Sequence, residues 1–552
     1  MAVKIESEVT DKIEILIKNA LETLSIDIAV PVNVERSRRP DHGHFTSNIA
    51  MVLAKPLKRA PIAIAEEIVK NIGSIPESIE KIEVRNPGFI NFFIAPKTYQ
   101  TIVSDVLTKQ QDFGRSDLGK GAKAQVEFVS ANPTGPLTVG HGRQAVLGDS
   151  VARILEWNGY NVDREYYYND AGRQMRILGQ SAYIRYRQLL GFDDQLTDEH
   201  YQGDYIVDIA RDIQEKYGDR FNDQPDHEIF RKSAEEAVFA DIRNTLEELG
   251  IVFNSFYNEQ SLYDDGLIDD VLERLKASGA TYDKNGAVWF RAGNYGAADD
   301  RVLWKSVVDE ATYRLPDIAY HETKIKRGYD LIVDIFGADH HATYPDVVAG
   351  LKALGYDTDP IQVLIHQFVT LTRGGEKVKM STRKANYVTL SELIEEVGKD
   401  VVRYFFIMRG MKSHLNFDLA LAKTEGDENP VFYLQYAHAR ICSILRNAEV
   451  KGFKDDSRGD LNLLREDETL ALLSVLGEFE EVCVLCGKTM EPQTLTTYLQ
   501  KLAATFHKFY TVHRVITKDK DLSSARLDLV RAVKIVMANG LSLLGINAPE
   551  RM

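Results

Sequence analysis

The stretch SANPTGPLTVGHG (Ser130–Gly142) decides how the chain is read. It follows QVEFVS, a short apolar strand, and leads into RQAVLGDSVARILEWNGY, which has helical periodicity. Pro133 and Pro136 stiffen the loop, while Gly135 and Gly140 allow close backbone approach. His141 stands at the helix entrance, beside backbone N–H groups without helical partners and the positive end of the helix dipole. Such an entrance suits phosphate, and a histidine there can donate to oxygens on which charge develops. NVDREYYYNDAG then reads as the next strand and its loop, which gives the β-loop-α-β order of a nucleotide-binding α/β domain. Taken alone, the same residues would also make an ordinary tight turn with an exposed histidine.

A second segment complements the first. TRGGEKVKMSTRKANYVTL (Thr372–Leu390) has Gly374 and Gly375 for mobility. Lys377, Lys379, Arg383 and Lys384 supply positive charge, and Ser381 and Thr382 supply hydroxyls. A loop of this kind can close on a triphosphate and stabilise departing pyrophosphate. By itself it is equally a basic surface turn.

Together, the two segments resemble the paired signatures of class I aminoacyl-tRNA synthetases, ANPTGPLTVGHGR for the first and KMSTRK for the second. VEFVSANPTGPLTVGHGRQAVLGD, YYYNDAGRQM, TYRLPDIAYH, FGADHHATYPDVVAGLKALGYD and LLGINAPERM are more closely similar to bacterial arginyl-tRNA synthetases, in the same order and across essentially the whole chain. The resemblance implies a Rossmann-type catalytic core with a small N-terminal α/β domain and a C-terminal all-α anticodon-binding domain. It also implies ATP-dependent ligation of L-arginine to tRNA(Arg) through an arginyl-adenylate, with AMP and pyrophosphate released, Mg2+ accompanying ATP, and a monomer in which tRNA is needed for efficient arginine activation.

Site residues follow from the same resemblance. Gly140, His141, Lys377, Lys379 and Ser381 carry the chemistry, while Pro133, Thr138, Gly140, His141, Gly142 and Met380 bind ATP. Glu127, Asn132, Tyr313, Asp317 and His340 bind arginine, with Tyr313 and Asp317 reading the guanidinium. A carboxylate can accept two parallel hydrogen bonds from a guanidinium fork, which lysine cannot reproduce. The first signature departs from the usual His-x-Gly-His, because Thr138 occupies the first histidine position. Threonine can donate one hydrogen bond but carries no charge. In the second signature Thr382 stands where many class I enzymes have lysine.

Further out, residues 1–110 read as a small α/β domain with KIEVRNPGFINFFIA as paired strands, and the resemblance implies that this domain contacts the tRNA elbow. Arg36, Arg38, Arg39, His42 and His44 could face phosphate there, Arg36 and Arg38 being the chosen tRNA-binding pair. QQDFGRSDLGKGAK is a linker; its Walker-like glycines lack both a preceding strand and the Ser or Thr that holds magnesium. Residues 111–179 and 276–410 form the two halves of the catalytic domain, around a largely helical insertion at 180–275. Residues 411–552 are helical, and in them Phe432, Tyr436 and Arg440, then Phe509, Tyr510, His513 and Arg514, set aromatics beside cations suited to splayed bases. Tyr436 and Arg440 are the chosen tRNA contacts there.

Bulk properties fit this plan. At 552 residues the chain is far too long for one core, which gives a prior of about three or four units. The net charge of −15 argues against indiscriminate phosphate binding but leaves room for a local basic face. Three cysteines are too few for a disulfide framework, and Cys483 and Cys486 read as a buried helix face rather than a metal or redox site. Asp339, His340 and His341 lie in one turn and do not converge on an ion, so no structural metal is expected. No signal peptide or long apolar span is apparent, which makes the cytoplasm the expected location, with no membrane partner. Two other readings compete: a small-molecule nucleotidyltransferase, which leaves the C-terminal helices unexplained, and a noncatalytic tRNA-binding descendant, encouraged only by Thr138.

Overall fold

The computed structural model describes residues 2–26, 31–37, 42–378, 388–454 and 458–552. Arg38, Arg39, Lys379, Met380, Ser381, Thr382, Arg383 and Lys384 therefore lie outside the described residues.

Five strands make the central sheet: β1 (Lys123–Glu127), β2 (Asn161–Tyr168), β3 (Ser255–Asn258), β4 (Leu331–Gly337) and β5 (Ile361–His366). Their spatial order is β5-β4-β1-β2-β3, and all pairs are parallel. The chain builds outward from β1 in one direction and later from β1 in the other, so a topological switch point lies between β1 and β4. In such sheets the ligand crevice opens at the carboxyl ends of the strands flanking the switch. Helix Val139–Trp157 follows β1 and packs closely on the sheet. Gly148 permits this, since a Cβ there would lie 2.1 Å from Cγ of Phe128.

The segment 180–275 is mainly helical, but β3 within it belongs to the core sheet, so the insertion is narrower than its composition suggests. In the second half of the catalytic domain, the short strands of GAVWFRAG and RVLWKS lie outside this sheet and join a separate four-stranded antiparallel one. Their inward side chains Val288, Phe290 and Leu303 pack in a second apolar cluster with Leu315 and Ile318. Short alternating strands specify a half-buried sheet without specifying which sheet they join. In the N-terminal unit, Ile79–Arg85 and Phe89–Ile94 pair antiparallel as the sequence suggests. Cys483 and Cys486 are free and buried on helix Phe479–Thr489. Nearby, the Arg115 guanidinium covers the Trp157 ring at 4.4 Å.

The C-terminal helices Pro430–Val450, Asp467–Gly477, Phe479–Thr489, Gln493–Val512 and Lys520–Leu543 share one apolar cluster with the catalytic core. Arg403, fully buried on helix Lys399–Ile407, joins them. It donates to the carbonyl of Leu544 (2.8 Å), to the carbonyl of Leu249 (2.9 Å) and to Asp149 Oδ2 (2.5 Å). Asp149 lies on helix Val139–Trp157, so one guanidinium holds the signature helix, the end of the insertion and the C-terminal segment. Burial alone would raise the Asp149 pKa, but Arg403, Arg153 and Arg164 hold it below the usual carboxylate range. Replacing one member of a buried ion pair strands the other. Arg403→Met is therefore expected to destabilise the protein by about 3–5 kcal/mol, read as a lower urea midpoint; an unchanged midpoint would show that the junction is held elsewhere.

Candidate active site

β1 ends at Glu127, and the backbone then folds back sharply. Ser130 N–H donates to the Phe128 carbonyl at 3.0 Å, closing a γ-turn with φ +67° at Val129 and +44° at Ser130. A β-branched residue in this region is strained, and such strain persists only where surrounding contacts over-determine it. Here the Tyr166 hydroxyl donates to the Ala131 carbonyl (2.8 Å), and the Ser130 hydroxyl donates to Glu127 (2.8 Å) while accepting from the Tyr167 N–H (3.1 Å). The turn leaves Asn132 at the crevice, where its amide donates to Gln174 and its oxygen accepts from the Asn169 N–H. Pro133 is buried beneath the loop.

Thr138 is the N-cap of helix Val139–Trp157, and His141 is its third residue. Thr138 N–H donates to His141 Nδ1 at 3.2 Å. Burial pushes the His141 pKa down, against a smaller opposing effect of Asp339. A neutral ring whose Nδ1 accepts carries its proton on Nε2. His141 is thereby prepared as an Nε2–H donor beside the exposed Gly140 backbone at the helix entrance. Thr138 thus has a structural use of its own: threonine is a good N-cap, and its backbone orients the histidine that follows.

Lys377 is exposed on the short strand Glu376–Lys377, paired with Val369–Arg373. Beyond the second signature the chain returns onto the first. Thr389 forms an isolated bridge with Thr138, and Leu390 N–H donates to the Leu137 carbonyl at 2.7 Å. Leu390 also covers Gly142, where a Cβ would lie 2.5 Å from its Cδ1.

The opposite wall is acidic. Asp334, Glu127 and Glu165 stand in register across β4, β1 and β2. Helix Arg314–Lys326 and the residue after it neutralise this row. Lys324 Nζ donates to Glu127 and to Asp334 Oδ1 (2.6 Å), and Arg327 pairs with Glu165. Burial alone would lower the Lys324 pKa, but Asp334 and Glu127 outweigh it and hold it above its ordinary value. Glu127, His321 and Asp334 have metal-ligand geometry, yet the Lys324 ammonium already bonds to two of them, which leaves that group no place for an ion.

Asp317, one helical turn before His321, receives no such partner among the described residues. Its pKa is pushed up to about 7, by burial first, with Glu259 and Glu127 adding to the effect against His321 and Lys324. Glu259 is raised as well, chiefly by burial, although Tyr167 and Asn169 donate to it at 2.7 Å. Buried carboxyl groups whose pKa values are raised mainly by desolvation mark a pocket suited to a cation. Tyr313 begins the same helix but is 85% exposed, so it and Asp317 have opposite surroundings. His340 is half exposed and stacks on Phe336 at 5.0 Å. The sequence reading overlooked Glu259, His321, Lys324 and Asp334. Asp334 did carry a signal, as the one charge within the apolar strand LIVDIFG.

On the C-terminal helices, Tyr436 lies nearly parallel to Phe432 (6.4 Å) and His507 (6.3 Å). Arg440 donates to the Tyr436 hydroxyl at 2.7 Å and stands 4.7 Å from the Tyr510 ring. Phe432, Tyr436, His507, Tyr510 and Arg440 are all partly exposed, whereas Phe509 is core. In the N-terminal unit, Arg36 pairs with Glu478 and donates to Ser474 (2.9 Å), and His44 accepts the Ile94 N–H (2.9 Å). Both are thus engaged in packing contacts, the first across to the C-terminal helices.

Comparison with known proteins agrees with this layout. Family models match in sequence order: an arginyl tRNA synthetase N terminal domain over residues 11–94, a class I (R) tRNA synthetase catalytic domain over 102–405, and an anticodon binding domain over 434–552. The chain is 48% identical over 521 residues to an arginine–tRNA ligase of Desulfotalea psychrophila, covering 94% of each. It is 48% identical over 539 residues to one of Salinibacter ruber, covering 94% of this chain and 96% of that one. The solved Thermus thermophilus arginyl-tRNA synthetase shares the fold, with a TM-score of 0.74 at 24% identity, over 98% of this chain and all of that one.

Were Asp317 to take a guanidinium, as the sequence resemblance implies, binding would expel the proton that burial favours on it below about pH 7. Arginine affinity is expected to weaken as pH falls, approaching about tenfold per unit below pH 7 and flattening above it. Calorimetric titration at about pH 6 in buffers of different ionisation enthalpy should register release of about one proton; none released would show Asp317 already charged.

Proposed function

Because the chain belongs to the class I arginyl-tRNA synthetases, and so joins L-arginine to tRNA(Arg) at the expense of ATP, we propose that the crevice at the carboxyl ends of β1 and β4 is where arginine and ATP meet. The observation that carries this reading is the electrostatic division of the crevice. Among the described residues, Asp317 and Glu259 lack a strong cationic partner on one wall, and a helix amino end with a neutral histidine donor forms the other.

Glu127 and Asn132 take the substrate ammonium and its surroundings. Asp317 takes the guanidinium, with Glu259 beside it, and Tyr313 and His340 complete the pocket. On the phosphate wall Pro133, Thr138, Gly140, His141, Gly142 and Met380 hold ATP. The arginine carboxylate attacks the α-phosphorus and pyrophosphate leaves, giving arginyl-adenylate. His141 Nε2–H stabilises the phosphate oxygens during this step, and Lys377, Lys379 and Ser381 stabilise the departing pyrophosphate. A ribose hydroxyl of the terminal tRNA adenosine then attacks the arginyl carbonyl carbon and AMP leaves. Catalysis here is positioning and electrostatics, with no covalent enzyme intermediate. Magnesium accompanies the ATP phosphates.

The Tyr436–Arg440 cluster offers stacking faces and a cation to unpaired anticodon bases. The N-terminal unit contacts the tRNA elbow through the Arg36–Arg38 region, although the Glu478 pairing of Arg36 must then be exchanged for phosphate. The enzyme acts as a monomer in the cytoplasm and activates arginine with tRNA bound.

Asp317→Asn is expected to lower kcat/KM for arginine by about 100-fold or more, with the KM for tRNA little changed. Unchanged arginine kinetics would sink the pocket assignment. Arg440→Ala should instead raise the KM for tRNA about tenfold and leave that for arginine alone. Equal effects on both substrates would remove Arg440 from the RNA surface.

A further inference from the structure

Asp317, His321 and Lys324 occupy positions i, i+4 and i+7 of helix Arg314–Lys326, which sets them on one face. Lys324 is fully buried, and its ammonium lies 4.5 Å from the centre of the Tyr320 ring. It bonds to Glu127 and Asp334, whereas His321 lies 2.8 Å from the Asp317 carbonyl and 3.0 Å from Asp334 Oδ2. The two ring nitrogens thus bridge the Asp317 carbonyl and the Asp334 carboxylate. Asp334 is consequently gripped from two successive turns of the helix. The contacts run without a break from the Asp317 backbone through His321, Asp334 and Lys324 to Glu127.

None of these three links touches arginine in the reading above, yet the connection spans the pocket. Arginine presents two cations at a separation set by its side chain, so the carboxylates that read them need a matching separation. Glu127 belongs to β1 and Asp317 to the helix. A helix rises about 1.5 Å per residue, which puts Lys324 roughly 10 Å along the axis from Asp317. An apolar side chain of similar volume would fill the Lys324 site without the desolvation that a buried ammonium entails. The charge is explained if Glu127 must stay fixed and ionised.

Resting on the proposed roles of Glu127 and Asp317, we infer that Lys324 is a positioning residue that fixes the Glu127 carboxylate relative to Asp317 and so sets the side-chain length the pocket accepts. The test compares arginine with its homologues one methylene longer (homoarginine) and one shorter (2-amino-4-guanidinobutanoate), using the full chain, saturating tRNA and ATP.

In Lys324→Met the KM for arginine is expected to rise about tenfold while the KM for ATP stays put, and the kcat/KM preference for arginine over both homologues shrinks about tenfold. A merely structural role would lower kcat/KM for all three substrates alike, and an intact preference therefore overturns the inference. Should that variant fail to fold, Asp334→Asn keeps the side-chain volume and the Lys324–Glu127 bond while weakening the second anchor. It should shrink the preference about threefold, and no shrinkage there has the same meaning. Asp317→Asn separates the two levels of the argument. If it leaves arginine use intact, the pocket reading itself fails; if it abolishes use while the Lys324 and Asp334 variants keep full preference, only the present inference does.

Discussion

The Arg403–Asp149 pair sets the frame within which the site operates. A guanidinium excluded from water must find an acceptor for nearly every N–H it carries, and Arg403 finds them on three parts of the chain distant in sequence. Because Asp149 sits on the helix that begins with the first signature, the orientation of that helix depends on where Leu249 and Leu544 lie. Apolar packing alone tolerates sliding; a guanidinium with three directional bonds does not. The catalytic core and the C-terminal helices therefore share one set of positional constraints.

Within this frame the crevice brings together two contrasting electrostatic environments. The wall proposed to face phosphate relies on neutral dipoles, namely a helix amino end and an imidazole whose tautomer is fixed by a backbone N–H. Those groups favour negative charge without demanding it, which suits a wall that must both admit and release an anion. The wall proposed to face arginine is built from carboxylates, two of which hold protons more tightly than usual. A neutral side chain of the right length would leave these acids without an ionic partner, and lysine would offer one point charge in place of a fork. Selectivity and the cost of an empty pocket thus have the same origin.

Most of the architecture is legible in residue patterns because it rests on local rules. The strand, loop and helix around Ser130–Gly142, the paired strands either side of Asn86-Pro87-Gly88 and the helical C-terminal third follow from periodicity and turn chemistry. The assignment of short strands to sheets does not follow, since Val288 and Phe290 alternate as well for one partner as for another. At the site, residues in compact signatures are found readily. Lys324 and Glu259 are not, because their significance lies in contacts with residues 197 and 92 positions away in the chain. Arg36 illustrates the reverse case: a cation in a basic stretch suggests phosphate, but only the fold reveals that Glu478 is within reach.

The Arg115–Trp157 contact has a spectroscopic corollary. The chain contains three tryptophans, and Trp289 and Trp304 both belong to the separate antiparallel sheet. Trp157 alone reports on the seam between the end of the signature helix and the helix bearing Cys483 and Cys486. With Trp289 and Trp304 replaced by phenylalanine, the remaining indole becomes an intrinsic fluorophore at that seam, with a guanidinium on its face. Its emission offers a label-free view of whether RNA bound at one end of the molecule is felt at the other.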